Sequence, residues 1–100
     1  MIAYKISKEA AKDLEGIWLY TFETWSIYQA DRYFNLLLNE IEFIAANPTS
    51  GKDCGYIREG YFRSKVNSHF IFYKINKDKT EIEIIRILHQ QMDVEKRLID

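Results

Sequence analysis

The residues with the most chemistry in this 100-residue chain are two histidines, one cysteine and a group of cations in its second half. His69 and His89 are the side chains whose ordinary pKa lies near neutrality, so proton transfer near pH 7 would fall to them. Arg58, Arg63, Lys65 and Arg86 can hold a phosphate, meet an acidic protein surface or remain solvated. His89, at the predicted end of the last strand, is the better acid–base candidate. Together with Arg63 and Arg86 it would supply the proton transfer and the cations that attack at a phosphodiester requires. It has no acidic neighbour in sequence to orient it. His69 lies beside a predicted turn on the presumed core side and reads as a structural strand histidine. Cys54 stands alone, which gives no disulfide framework and no thiolate set for zinc. The sequence contains no metal-ligand constellation, P-loop or nucleophile triad, so neither a metal nor a cofactor is expected.

Most of these residues fall in one stretch, Tyr61 to Asp93, YFRSKVNSHFIFYKINKDKTEIEIIRILHQQMD. Three runs of β-branched and aromatic residues, parted by one tight turn and one longer one at Lys77-Asp78-Lys79, predict an antiparallel meander. Asn67-Ser68 suits a two-residue hairpin because Asn tolerates positive φ, and that turn sets Val66 opposite His69. Alternation then puts Phe62, Ser64, Val66, His69, Ile71, Tyr73 and Ile75 on an uncharged face toward the core. Tyr61, Arg63, Lys65, Phe70, Phe72 and Lys74 share the other face. That second face is cationic and aromatic, a docking surface for a polyanion or an acidic protein, with Arg58, Arg63, Lys65, Phe70, Phe72, Arg86 and His89 as its contact residues. Arg86 projects to the side of Arg63, but Ile82, Ile84 and Leu88 share its parity, which leaves the register of the last strand open.

The first half must position this sheet. Ile2, Tyr4 and Ile6 alternate as a short strand, and Ser7 N-caps a helix. Ala10, Ala11, Leu14, Ile17, Trp18, Thr21, Phe22 and Trp25 form its apolar stripe, with Gly16 on the opposite side at a cost of about 1 kcal/mol relative to Ala. Ser26-x-x-Gln29 is a capping box that starts a second helix. Its core stripe is Ile27, Ala30, Tyr33, Phe34, Leu37, Leu38, Ile41, Ile44 and Ala45, and Asn47-Pro48 ends it. Leu19, Leu36 and Phe43 lie off these stripes, and Leu36 and Phe43 share one side of the second helix. They read either as a widened core or as a groove for a partner's amphipathic helix. Thr49 to Gly60 reads as a loop with a short strand through Tyr56 and Ile57, and Asp93 caps a final helix, Val94 to Ile99. The expected fold class is α+β: one domain over residues 1–100, a helical hairpin packed on a small antiparallel sheet in the order β-α-α-β-β-β, with a short C-terminal helix.

Bulk properties narrow the class. Hydrophobic residues at 47% and charged residues at 29% place the chain among globular domains rather than disordered ones. No apolar run approaches the roughly 20 residues of a bilayer span, and MIAYKISKEA lacks the pattern of a signal peptide, so a cytoplasmic location and no membrane partner are expected. Net charge is −1, yet residues 1–50 hold 4 Lys+Arg against 7 Asp+Glu, and residues 51–100 hold 10 against 8. That modest basic excess argues against strong nonspecific nucleic-acid binding.

Taken in order, YKIS, DLEGIWLY, QADRYFNLL, NP, IREGY, HFIFYKI and RILHQQMD resemble the ParE branch of the RelE/ParE toxin family across nearly the whole chain. Arg86, Leu88-His89 and Met92-Asp93 carry the most specific part. The resemblance implies the α+β fold and the toxin of a type II toxin-antitoxin pair. It further implies neutralisation, in a hetero-oligomer, by a ParD-like antitoxin, for which Leu19, Leu36 and Phe43 are the candidate contacts. DNA gyrase is the implied target, inhibited by binding and without catalysis. The sister branch resembles this chain too and implies ribosome-dependent mRNA cleavage, with His89, Arg63 and Arg86 as the candidate set, although RILH differs from the tyrosine-bearing termini of that branch. A degenerate toxin that only binds its antitoxin is the third alternative.

Overall fold

In a computed structural model of the chain, residues 3–76, 78 and 81–99 are described; Ile2 of the predicted first strand and Lys77 and Lys79 of the predicted turn lie outside them. Strand β1 (Ala3–Ile6) leads into helices α1 (Lys8–Thr24) and α2 (Ile27–Ala46). A 3-10 turn (Pro48–Ser50) follows, then β2 (Lys52–Asp53), β3 (Tyr61–Val66), β4 (His69–Asn76), β5 (Glu81–His89) and α3 (Val94–Ile99). The sheet order is β1-β5-β4-β3-β2.

The meander forms with the register set by its tight turn. Val66 pairs with His69, and Asn67 takes φ 50° to close the turn. One expectation changes: β1 runs parallel to β5, so the sheet is mixed rather than wholly antiparallel. The helical hairpin between β1 and the meander returns the chain to the far edge, and a crossover of that length permits parallel pairing. A second change concerns the loop. Tyr56 and Ile57 lie in turns, and the short strand is instead Lys52–Asp53, paired with Phe62 and Arg63.

Both helices begin as their caps predict. The Ser7 hydroxyl accepts the Ala10 N–H at 3.0 Å and also donates to the Ile85 carbonyl at 2.8 Å, so one side chain caps α1 and ties it to β5. Ser26 accepts the Gln29 N–H at 3.1 Å. Asn47 ends α2, its side chain and backbone N–H both bonding the Phe43 carbonyl. Trp18 Nε1 donates to Asp31 at 2.9 Å across the hairpin.

Two hydrophobic clusters sandwich the sheet. On the helix side, Leu14, Leu37, Ile41 and Ile44 pack on Ile71, Tyr73, Ile82, Ile84 and Ile87. On the other side, Cys54, Tyr61, Phe72 and Leu88 are closed over by Leu98 of α3. The apolar stripes are narrower at the tip of the hairpin than their spacing suggests: Phe22, Trp25 and Ile27 are exposed, as is Ala11. Phe22 stacks on Trp18 of its own helix, with ring centroids 5.4 Å apart, rather than on the sheet.

Candidate functional site

The β4–β5 pairing contains a bulge: Phe72 opposes Arg86 while Tyr73 opposes Ile84, which leaves Ile85 as the extra residue. That single irregularity resolves the parity conflict in the last strand. Ile82, Ile84 and Ile87 face the helices, and Ile85 and Leu88 face the opposite way. Arg63, Phe72 and Arg86 line up across three strands.

Alignment does not leave Arg86 available as a contact. Its Nε donates to Asp13 Oδ2 at 2.8 Å and its Nη2 to Asp13 Oδ1 at 3.0 Å, a two-pronged pair on a half-buried site. Asp13 also accepts the Ile87 N–H at 3.0 Å. β1 pairs with β5 only as far as Ile84, so the Asp13 carboxylate takes over beyond it at the open edge of β5. Arg86 is therefore a clamp between α1 and β5, its protonation reinforced by the Asp13 hydrogen bonds, rather than a free cation on a docking face.

Phe72 is also corrected as a target-contact residue. It is completely buried beneath α3 and the Cys54 turn, because the second sheet face meets a small core of its own. What remains accessible of that face is the hairpin end. There Arg63 lies over the Phe70 ring at 4.4 Å and Lys65 over the same ring at 5.7 Å. Arg58 stands 5.8 Å from the Tyr61 ring, on an exposed turn. Two cations sharing one aromatic ring make a compact positive surface whose side chains are already ordered.

The histidines lie on the other face, toward the helices. His69 and His89 are cross-strand partners with ring centroids 5.3 Å apart, edge to face. The Tyr33 hydroxyl donates to the Val66 carbonyl at 3.0 Å and so accepts from His69 Nδ1 at 2.7 Å, which assigns the Nδ1–H tautomer. Burial, aided by the nearby His89, holds the His69 pKa down at about 4. Burial likewise raises the Tyr33 pKa. His89 Nδ1 accepts the Gln91 N–H at 3.1 Å. Both rings line a cleft of about 870 Å³ walled by Ile17, Tyr20 and Trp25 of the hairpin, with Lys12, Tyr33 and Met92 at its sides. Tyr20, Trp25 and Tyr33 were not singled out as site residues in the sequence: they are ordinary members or neighbours of helical stripes, and only the crossing of the hairpin over the end of β5 gathers them.

His89, Arg63 and Arg86 consequently do not form one catalytic set. His89 opens into the helix-side cleft, Arg63 stacks on Phe70 across the sheet, and Arg86 is bound to Asp13. Leu19, Leu36 and Phe43 are exposed, but they are not brought together either, since Leu19 stands on the outer side of α1 while the other two share a flank of α2. Among the described residues, no group of three or more His, Cys, Asp or Glu is placed to hold a metal, and no helix is long and apolar enough to cross a membrane. Cys54 is buried, with its thiol pKa pushed up by that burial.

A helical hairpin on one side of a mixed sheet, with a basic aromatic hairpin end and a wide cleft, makes a small α+β domain. The solved structure of a chromosomal ParDE toxin-antitoxin system from Pseudomonas aeruginosa superposes with a TM-score of 0.76 over 89% of this chain and 96% of that one, at 18% identity. In sequence the chain is 40% identical to Toxin ParE1 of Mycobacterium tuberculosis over 95 residues, covering 95% of this chain and 96% of the relative. It is 38% identical to Toxin ParE1 of Caulobacter vibrioides over 98 residues, covering 98% and 99%. The family model for the ParE toxin of the parDE type II toxin-antitoxin system matches residues 4–94, and the chain belongs to that family.

Proposed function

We propose that this ParE-family toxin acts by binding, with DNA gyrase as its target, and that a ParD-like antitoxin neutralises it in a hetero-oligomer. The observation that carries the reading is the match to the ParE toxin model over residues 4–94. The geometry supports binding over catalysis: His69 is held neutral in a hydrogen bond to Tyr33, and Arg58, Arg63 and Lys65 stack on the rings of Tyr61 and Phe70 rather than beside the imidazoles. Gyrase contact is assigned to Arg63, Lys65 and Phe70 at the hairpin end, with Arg58 beside them. Antitoxin docking is assigned to the flank of α2 that carries Leu36 and Phe43, where two apolar side chains seven residues apart suit a partner helix.

The deciding experiment expresses the toxin without its antitoxin and compares DNA supercoiling and breakage with mRNA cleavage. Inhibited supercoiling with broken DNA is expected. A ribosome-dependent mRNA cut with normal supercoiling would replace this reading with that of the sister branch. The antitoxin assignment has its own check, since Leu36→Glu with Phe43→Glu is expected to weaken binding of the antitoxin encoded beside the toxin. Unchanged affinity with an intact fold removes the flank from the interface.

A further inference from the structure

Neither the gyrase surface nor the antitoxin flank uses the cleft that His69 and His89 line. Its volume of about 870 Å³ falls within the roughly 300–1,000 Å³ of small-molecule sites. Ile17, Tyr20 and Trp25 wall it with apolar and aromatic surface, and among the described residues Lys12 is the one Lys or Arg that lines it. Hydrogen bonds within the fold fix what the two rings present there. His69 Nδ1–H donates to the Tyr33 hydroxyl at 2.7 Å, which leaves Nε2 as a bare lone pair. Burial holds the pKa of that ring at about 4, so the lone pair is still unprotonated at pH 7. His89 is the reverse: its Nδ1 accepts the Gln91 N–H at 3.1 Å, so its proton sits on Nε2.

Among the described residues neither Nε2 has a protein hydrogen-bond partner, and no side-chain nitrogen is both buried and unpaired, so both Nε2 atoms are open to solvent. One acceptor and one donor thus stand side by side, on rings whose centroids are 5.3 Å apart. The matching ligand carries an N–H beside a C=O in one plane. A metal ion matches poorly, because coordination by both Nε2 atoms would push the His89 proton onto Nδ1, against the Gln91 N–H. A carboxylate or phosphate offers acceptors alone and would set its charge against the His69 lone pair. We infer that the cleft binds a planar heteroaromatic lactam of the nucleobase type. Its N–H donates to His69 Nε2, its C=O accepts from His89 Nε2–H, and its ring lies against Tyr20 and Trp25. A free base or nucleoside suits the cleft better than a nucleic-acid strand does. The phosphates of a strand would find one lysine there, while Arg63 and Lys65 stack on Phe70 across the sheet.

The test is a titration of the full chain with 1-methyluracil, followed through the nitrogen NMR resonances of the histidine rings, beside a second titration with 1,3-dimethyluracil. The two probes share one ring and its faces and differ in a single N–H. 1-Methyluracil is expected to shift both Nε2 resonances while His69 stays protonated on Nδ1 and His89 on Nε2. 1,3-Dimethyluracil should bind roughly tenfold more weakly or worse, since it desolvates the His69 lone pair and returns no donor. His89→Phe keeps a flat ring without the donor and should weaken 1-methyluracil binding by a similar factor. Trp25→Ala, at a position 73% exposed, should weaken it too while the melting temperature holds, so the site stays testable if His89→Phe does not fold. Absence of saturable binding in the millimolar range overturns the proposal, as does equal binding of the two probes or a Trp25→Ala variant that binds unchanged. A uridine oligonucleotide that binds where 1-methyluracil does not would give the cleft to a strand and overturns it as well. None of these results bears on the gyrase and antitoxin assignments.

Discussion

At the scale of single residues, the charged side chains divide by whether the fold has already used them. Arg86 and Asp13 satisfy each other and the Ile87 N–H, so Arg86→Ala leaves a half-buried carboxylate facing one donor where it had three. Such a loss is expected to destabilise the domain by about 2–3 kcal/mol, measured by urea unfolding. Arg63 and Phe70 carry no comparable internal duty. Arg63→Ala and Phe70→Ala should weaken target binding by about 2 kcal/mol or more while shifting the unfolding midpoint little, which a binding titration paired with a melt resolves. His69 makes a pH-dependent contribution. Its folded pKa of about 4 lies below the ordinary 6.5, so the unfolded chain binds more protons between those values. Stability is therefore full above pH 6.5, falls as pH drops toward 4 and levels below it; a His69→Phe variant should lose that slope in unfolding free energy measured across the range. Of these roles, the cationic aromatic pairing of Arg63, Lys65 and Phe70 was legible from alternation alone. The clamp role of Arg86 was not, because its partner lies 73 positions away and nothing in local spacing reports it.

At the scale of elements, capping and turn chemistry read well because they are local. Ser7, Ser26, Asn47-Pro48 and Asn67-Ser68 each mark their boundary through one side chain or one fixed torsion, and each does so in the fold. The bulge at Ile85 and the two-residue β2 depend on partners far along the chain, and alternation within one strand carries no trace of either. The 3-10 turn shows how such a partner constrains a small element. The Tyr73 hydroxyl donates to the Pro48 carbonyl at 2.8 Å and accepts the Gly51 N–H at 3.0 Å. A Cβ at Gly51 would run into that hydroxyl and stand 2.9 Å from the Arg63 carbonyl. Gly51→Ala is thus expected to cost about 1–3 kcal/mol in chemical denaturation, through displacement of Tyr73 from the core.

At the scale of the molecule, the sheet is a middle layer, and the burial of Phe72 follows from α3 as much as from its own strand. A short helix closes that second cluster together with the Cys54 turn. Leu98→Ala should therefore cost about 2–4 kcal/mol and, more specifically, speed the reaction of Cys54 with a thiol reagent. An unchanged labelling rate would show that α3 is not what shields the thiol. The sequence predicted the layer order from its apolar periods, but it presented the basic face as wholly open, because six residues at the end of a chain announce little about where they dock.

The parallel pairing of β1 with β5 reaches further than architecture. Ser7 bonds to the carbonyls of Ile84 and Ile85, and the second of these contacts spans 78 positions of the 100-residue sequence. Loop closure on that scale is slow, and such contacts form late in folding. During synthesis the sheet stays incomplete until residues 81–89 have emerged, so the tie of Ser7 to β5, the Asp13 clamp and the cleft beside His89 all wait for that strand. A nascent chain is thereby kept without these finished surfaces until β5 has been made, a delay built into the order of its strands.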